Sequence, residues 1–454
     1  LCRIIMKIII AGAGEVGFHL AKLLSYESQE IVLIDNNKEN LKYAENHLDI
    51  RTINGNALSL SLLNNADVKS SDLFIGVTSQ ESLNITLCAL AKQLGCKRTI
   101  ARISNIEFIS SKEEVSFKEI GVDELISPEE LAANEIKQLL DQSAFFNNHK
   151  FDDGALTLIG TTLEAEAAFV GKTVKEAASV FQDIHFMPIA IQSKGTQFSV
   201  IPRGDSVFEE GDDVFFITLK EGVEEIYKLT GKKKTPIKKV MILGGGKIAY
   251  NTAKKLIENK IRVSVIEINK EKAIQLADKL PDVMIIHGDG RNIELLEEEN
   301  LNSMDAFISV TGNSETNIMS CLMANSKNIN KTIALVENMD YFKLSHSIGI
   351  DNLINKKLLA ANTIFKYIRR GEVVDITTLN NLDAEILEFV VKNSSKVANS
   401  KIKDIDFPRS AIIGGVIKEG EGIIALGDYT ILPDDRVVVC CLPEAVEKVE
   451  SLFS

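Results

Sequence analysis

The sequence predicts an α/β chain with two doubly wound parallel sheets, each followed by a small α+β module. Three observations carry the prediction. A glycine turn stands between a strand and a helix and is followed by an acid-ended strand; the whole unit recurs at a fixed offset; and short β runs with turn residues follow each copy.

The first turn lies in the stretch from Met6 to Asp35. Lys7 to Ala11 is a β-branched run, Gly12-Ala13-Gly14-Glu15-Val16-Gly17 follows, and Ile31-Val32-Leu33-Ile34 ends at Asp35. In such a turn the first glycine permits the tight bend. The second lets backbone N–H groups approach a pyrophosphate, and the third packs the helix onto the strand. Unpaired N–H groups and the helix dipole then favour an anion at the helix N-terminus. Asp35 stands 35 − 17 = 18 residues past the last glycine, near the spacing of roughly 20 at which an acid accepts ribose hydroxyls. Strand, glycines and acid together read as a dinucleotide-binding Rossmann unit.

The second copy is explicit. Val240-Met241-Ile242-Leu243 leads into Gly244-Gly245-Gly246-Lys247-Ile248-Ala249, and Val263-Ser264-Val265-Ile266 ends at Glu267, with 244 − 12 = 267 − 35 = 232. Asn56 after Ile53-Asn54-Gly55 matches Asp289 after Ile286-His287-Gly288, and Thr78 after Phe74-Ile75-Gly76-Val77 matches Thr311 after Phe307-Ile308-Ser309-Val310. Asn84 pairs likewise with Asn317, and Cys88 with Cys321.

Within the first unit the expected order is strand 7–11, a helix from about 15, strand 31–35, a helix from about 37, strand 51–54, a helix near 57–64, strand 73–77, helix 81–94 and strand 98–103. A helix near 112–119 and a short strand at Glu124-Leu125-Ile126 close the sheet. Apolar strands alternating with amphipathic helices imply a parallel sheet covered on both faces. Ligands bind at the carboxyl ends of such strands, which places Gly12 to Val16, Asp35, Asn56, Thr78 and Arg102 on one rim.

A helix from Glu129 to Gln142 leads into the first small module. Its β runs are 155–159, 187–192, 197–201 and 214–217, with a short helix at 174–177. Lys172 to Glu176 has its echo in Ser400 to Asp404, and Asp205 with Val214 in Asp428 with Val437. The run Gly231-Lys232-Lys233-Lys234-Thr235-Pro236 reads as a solvated linker between the halves. The four units are expected at 6–127, 145–231, 237–360 and 372–454.

Composition narrows the function classes. The 454 residues are 45% hydrophobic and 25% charged, as in a globular protein. A net charge of −13 argues against a general nucleic-acid binder, which needs a basic face to release phosphate counterions. No apolar run reaches the roughly 18 residues of a bilayer-spanning helix, and Leu1 to Ile5 is too short for a signal peptide. A cytoplasmic chain is therefore expected.

The six cysteines at 2, 88, 96, 321, 440 and 441 form no metal-spaced cluster. They read as reduced, mostly buried thiols; with Cys440 and Cys441 adjacent in a strand, at most one of the two is expected to face the core. The histidines at 19, 47, 149, 185, 287 and 346 are equally dispersed.

With these residues in place, the chain resembles the TrkA family, the peripheral component of Trk potassium uptake systems, whose subunits carry two RCK repeats. Each repeat is a Rossmann N-domain followed by a TrkA-C domain. The resemblance covers nearly the whole chain. It rests on Met6 to Gly17, on Val77-Thr78-Ser79 and Val310-Thr311-Gly312 with the following Asn84 and Asn317, on Ile100-Ala101-Arg102, and on Gly211-Asp212-Asp213 before a β run.

The resemblance implies a regulatory subunit, not an enzyme, that binds NAD(H) and, in related members, ATP or ADP. It implies homo-oligomeric dimer or tetramer rings on the inner face of the cell membrane, against a membrane-embedded potassium translocating subunit. Carried over, the first site uses Gly12, Ala13, Gly14, Glu15 and Val16 at phosphate, Asp35 at ribose, Thr78 and Ser79 near the cofactor, and Arg102 at phosphate or at a neighbouring subunit. The second uses Gly244, Gly245, Gly246, Lys247, Ile248, Glu267 and Thr311; Asn56 and Asp289 complete the two sets.

One departure matters. Leu335 stands where the first repeat has Arg102, so a charge-assisted phosphate contact is missing there. The first site is expected to bind phosphate-rich ligands more tightly, with Lys247 compensating in part.

The rival reading is an NAD-dependent oxidoreductase with duplicated Rossmann domains. Hydride transfer needs an acid or base beside the nicotinamide, and no catalytic arrangement recurs between the halves; His185 reads as a partly buried strand histidine. Asp35 and Glu267 repel a 2′-phosphate, which disfavours NADP. The acidic run Glu209, Glu210, Asp212 and Asp213 is the nearest approach to a Ca2+ site and reads as a solvated turn, so no metal is expected.

Overall fold

The computed structural model describes residues 6–453 except 26–28, 106, 111–115, 142–146, 181–184, 195–198, 232–235, 339–340, 342–348, 370–372 and 379–383. In the first unit, β1 (Lys7–Ala11), β2 (Glu30–Asp35), β3 (Arg51–Asn54), β4 (Leu73–Gly76), β5 (Arg98–Arg102) and β6 (Glu124–Ile126) form one sheet in the order β3-β2-β1-β4-β5-β6. Every neighbouring pair is parallel. Both faces are covered, Ile8 and Ile10 packing into one core and Ile9 and Ala11 into another, which is why β1 reads as an unbroken apolar run. The strand order reverses direction between β1 and β4, so their carboxyl ends frame the crevice where such sheets take ligands.

The later unit repeats this topology. β12 (Lys239–Leu243), β13 (Arg262–Glu267), β14 (Met284–His287), β15 (Ala306–Ser309), β16 (Lys331–Leu335) and β17 (Asn352–Ile354) run in the order β14-β13-β12-β15-β16-β17. The expected helix near 112–119 is the exception to the element order. Residues 112–115 lie outside the described residues, and 117–120 are turns. Glu119 donates to Ser116 and Gly121 to Lys118, with Gly121 at φ 93°. A short helix, Glu107–Ser110, precedes them.

The small modules are antiparallel. β7 (Asn147–Phe151), β8 (Leu156–Thr162), β9 (Phe186–Gln192), β10 (Ser199–Val200) and β11 (Asp213–Thr218) form a sheet ordered β10-β9-β11-β8-β7. In the second module β18 (Val373–Thr378), β19 (Glu385–Val390), β21 (Ala411–Lys418), β22 (Glu421–Ile423) and β24 (Arg436–Cys441) repeat that order as β18-β19-β24-β21-β22, while β20 (Ser400–Lys401) pairs with β23 (Thr430–Ile431). The linker lysines 232–234 and the start of the 197–201 run lie outside the described residues.

The two module sheets pack face to face: Leu158, Ile189, Phe215 and Ile217 of one share a core with Ile386, Ile417, Val438 and Cys440 of the other. This corrects the expectation for the cysteine pair. Cys440 faces the inter-module core and Cys441 the module's own core, so both are buried.

The Rossmann units exchange helices. Helix Pro128–Asp141 leaves the first sheet and packs on helix Lys247–Glu258 of the second unit, while helix Lys356–Arg369 packs back on helix Glu15–Ser25 of the first. Ala132, Ile136, Leu139 and Leu140 thereby join the second unit's core, and Ala360, Ala361 and Ile364 the first's.

Candidate functional site

The glycine turn is built by steric necessity at two of its positions. Gly12 has φ +112°, and a Cβ there would sit 2.9 Å from the backbone of Val77 and Thr78; a Cβ on Gly17 would lie 1.8 Å from the Gly12 carbonyl oxygen. Gly14 is different, because a Cβ there meets nothing within 4 Å. Its lack of a side chain leaves open space at the start of helix Glu15–Ser25, where an approaching phosphate would need it.

Asp35 ends β2 beside that turn. Its carboxylate accepts the Ala13 N–H at 2.5 Å and the Asn37 N–H at 2.7 Å. Glu267 repeats the arrangement with Gly245 and Asn269, both at 2.7 Å. Each acid thus fixes its turn through one oxygen and the next helix start through the other.

Thr78 and Arg102 are set by one buried amide. Asn84, 1% exposed, accepts from the Thr78 N–H at 2.8 Å and hydroxyl at 2.7 Å, and donates to the Thr78 carbonyl at 3.1 Å and the Arg102 carbonyl at 2.8 Å. Asn317 does the same for Thr311 and Leu335.

These groups line a cleft of about 500 Å³. Gly12, Gly14, Glu15, Val16, Asp35, Asn56, Thr78, Ser79 and Arg102 all face it; of the first site's expected residues only Ala13 does not, being buried with its N–H committed to Asp35. The open space at Gly14 and the clustering of the acid and Arg102 about the turn fit an adenine dinucleotide or nucleotide.

Three lining residues come from the second repeat and were not anticipated: Glu337, Lys356 and Lys357. Lys357 pairs with Glu15 and lies 3.4 Å from Glu337; Lys356 lies 3.2 Å from Glu337. Burial raises the Glu337 carboxyl, but the two lysines outweigh it and hold the group below the ordinary range. A signal was present in the sequence. Lys356-Lys357 opens a helix, where cations oppose the dipole, at the place where the first repeat has Pro128-Glu129.

The second glycine turn is surrounded differently. Glu267 is 7% exposed and lies across Gly245, where a Cβ would be 2.9 Å from its Oε2. Ile248 is buried, Gly244 (φ +101°) abuts Thr311, and Asp289 forms a two-pronged ion pair with Arg291. Gly245, Gly246 and Lys247 open onto a groove of about 670 Å³ with Glu81, Ser104 and Asn105 of the first unit.

Elsewhere His185 sits 3.1 Å from Glu225. Asp212 is 2% exposed and accepts the Glu209 N–H, so the acidic run is a capped turn with one buried carboxylate rather than a wholly solvated one. Among the described residues no group of three or more His, Cys, Asp or Glu is placed to hold a metal, and no helix is long and apolar enough to cross a membrane.

Comparison with known proteins agrees with the duplicated architecture. The family model for the TrkA-N domain matches residues 8–128 and 240–356, and that for the TrkA-C domain residues 158–231 and 386–454. The Trk system potassium uptake protein TrkA of Haemophilus influenzae is 32% identical over 460 residues, covering 99% of this chain and 98% of the relative. TrkA homolog 1 of Methanosarcina mazei is 30% identical over 458 residues, covering 99% and 100%.

Among solved structures the GsuK RCK domain superposes with a TM-score of 0.62 at 14% identity, covering 99% of this chain and 95% of that one. The GsuK channel bound to NAD gives 0.63 at 14%, covering 99% and 79%. GsuK bound to ADP gives 0.52 at 12%, covering 81% and 70%. At these identities the likeness is one of fold. The family models match well over half of the sequence, and the chain belongs to the TrkA family, with two TrkA-N domains each followed by a TrkA-C domain.

Proposed function

We propose that this chain is the nucleotide-sensing regulatory subunit of a Trk-type potassium uptake system. The observation that carries the reading is the first cleft, where a glycine turn, Asp35, Thr78 and Arg102 meet at the strand-order switch and residues of the second repeat close the far side. The names of the relatives support the transport role, and the NAD and ADP bound by GsuK support the ligand class.

NAD(H) is the proposed ligand, with ATP and ADP taking the same adenosine position. Gly12, Gly14, Glu15 and Val16 approach its phosphates, Ala13 acts by fixing Asp35 for the ribose hydroxyls, Thr78 and Ser79 border the cofactor, and Arg102 supplies a cation. Gly244, Gly245, Gly246, Lys247, Ile248, Glu267, Asp289 and Thr311 hold the equivalent positions in the second repeat. The bound nucleotide supplies negative charge between two helix N-termini and undergoes no reaction.

A ligand shifts an assembly only by its differential affinity for two states. Because the cleft is bounded by both repeats, occupancy biases the angle between them. A homo-oligomeric ring on the inner face of the membrane transmits that bias to the membrane-embedded translocating subunit. The test is nucleotide-dependent potassium uptake with wild-type and Asp35→Ala chains. A flattened nucleotide response in the variant is expected; unchanged regulation, or turnover of reduced cofactor at enzymatic rates, overturns the reading.

A further inference from the structure

We infer that the groove between helices Lys247–Glu258 and Lys270–Lys279 of the second repeat is a docking surface for an acidic segment of a protein partner, held by Lys247, Lys254, Lys272 and Lys279. The inference stands apart from the nucleotide reading, since Lys254 and Lys279 lie two helical turns along from the glycine-turn end of the groove.

The two helices share one face of the second sheet. The first joins β12 to β13 and the second joins β13 to β14, each strand beside the one before. Right-handed crossovers that progress the same way along a sheet put their helices on the same side. Ile248, Ala253 and Leu256 of one and Leu276 of the other pack into the core beneath. Above that core each helix lines the groove with a stripe that begins and ends in lysine, with 254 − 247 = 279 − 272 = 7. Seven residues are about 10 Å of helix, so the four ammonium groups stand at the corners of the groove.

These cations are unspent. All four residues are exposed, and among the described residues none of them forms an ion pair. Across the groove Glu81 of the first unit feels the charge of Lys247, but its carboxylate already accepts the Ser104 and Asn105 N–H groups, both at 2.8 Å. In a chain of net charge −13 the groove is a local reversal of sign, which concentrates anions at its mouth.

The fold does not require the lysines. At the equivalent positions, 232 residues earlier, the first repeat has Glu15, Lys22, Asn40 and His47, so one lysine of the four is shared. There rings bridge the two helices instead, with centroids 4.9 Å apart for Phe18 and Tyr43 and 4.2 Å apart for Tyr43 and His47. Gln275 replaces Tyr43 in the second repeat, and the groove is open.

The shape favours a single chain over a flat anionic surface. The lysines line a recess whose other wall carries Glu81 and Glu107, acids that a bilayer of anionic lipid would have to meet. A peptide enters the recess beside them. Carboxylates at every third position of an extended chain repeat at about 10 Å, the spacing of the lysines along each helix.

The test is fluorescence anisotropy of a labelled oligoglutamate with the full chain, against an oligoglutamine of equal length. Wild type is expected to bind the first, more weakly as salt is raised, and not the second. Lys254→Gln/Lys279→Gln, which leaves the glycine turn intact, is expected to lose about fivefold or more in affinity, the scale of two exposed ion pairs, with an unchanged melting temperature. Lys22→Gln in the first repeat is expected to retain wild-type affinity.

No binding of oligoglutamate by wild type, or equal affinity in the double variant, overturns the inference. If the double variant does not fold, the single variants Lys254→Gln and Lys279→Gln decide, and undiminished affinity in both overturns it. ATP or phosphatidylglycerol vesicles bound through Lys254 and Lys279, with no affinity for oligoglutamate, also overturn it. Each of these outcomes leaves the nucleotide reading of the first cleft standing.

Discussion

Asn84 donates from Nδ2 to the Arg102 carbonyl at 2.8 Å and thereby ties the end of β5 to the end of β4, across the mouth of the first cleft. Its Oδ1 holds Thr78, and Asn317 performs the same service in the second repeat. Asn84→Leu leaves the Thr78 N–H and the Arg102 carbonyl unpaired in a buried place. The expected cost is about 1–3 kcal/mol, together with weaker nucleotide binding as Thr78 and Arg102 lose register. Asn317→Leu should show a similar thermal destabilisation with first-site binding preserved. Melting curves and binding titrations on the two variants check this.

The glycines of the first turn separate folding from binding. Gly17→Ala places a methyl group against the Gly12 carbonyl and Gly12→Ala forces a left-handed backbone against Val77 and Thr78, each expected to lower the melting temperature sharply. Gly14→Ala meets nothing, so it should leave the melting temperature near wild type while weakening nucleotide binding. A Gly14→Ala chain with wild-type affinity would mean that the open space at the helix start is not a phosphate position.

Stability should fall on mild acidification through His19. Burial, then Lys22 and Lys357, hold its imidazole below the ordinary 6.5, and its Nε2 is buried without a hydrogen-bond partner. A group whose folded pKa is lowered binds fewer protons folded than unfolded, so its contribution is complete above 6.5 and is lost as pH falls through the folded value. Denaturation midpoints measured downward from pH 7 should decline in wild type and less steeply in His19→Gln. Parallel curves would remove His19 from the account.

The described thiols should be inert in the native chain. Cys88, Cys96, Cys321, Cys440 and Cys441 are all buried, and burial pushes the Cys440 thiol up to about 12. Since the thiolate is the reactive form, a thiol reagent should label these five only after unfolding, as mass spectrometry can read.

Much of the fold and part of the site were legible in the sequence because they are local. The turn at Gly12, Asp35 at the end of β2, and the copies at Gly244 and Glu267 follow from strand–turn–helix chemistry over some thirty residues. The 232-residue offset exposed the duplication without any structure. What stayed hidden is long-range. Glu15 meets Lys357 only because each Rossmann unit lends the helix that leaves its sheet to the other, and no periodicity within either segment encodes that exchange. The double burial of Cys440 and Cys441 has the same cause, a second sheet arriving from a separate module. Gly121, which closes a turn where a helix was expected, shows the limit of apolar spacing in a short connector.

The central claim is that the first glycine turn holds a nucleotide, and equilibrium binding of NADH and of ADP to the full chain tests it most directly when wild type is compared with Asp35→Asn and Glu267→Gln. Wild type is expected to bind both, Asp35→Asn to lose roughly tenfold or more, on the scale of a charge-assisted hydrogen bond, and Glu267→Gln to change far less. Undiminished affinity in Asp35→Asn, or no binding by wild type, would contradict it.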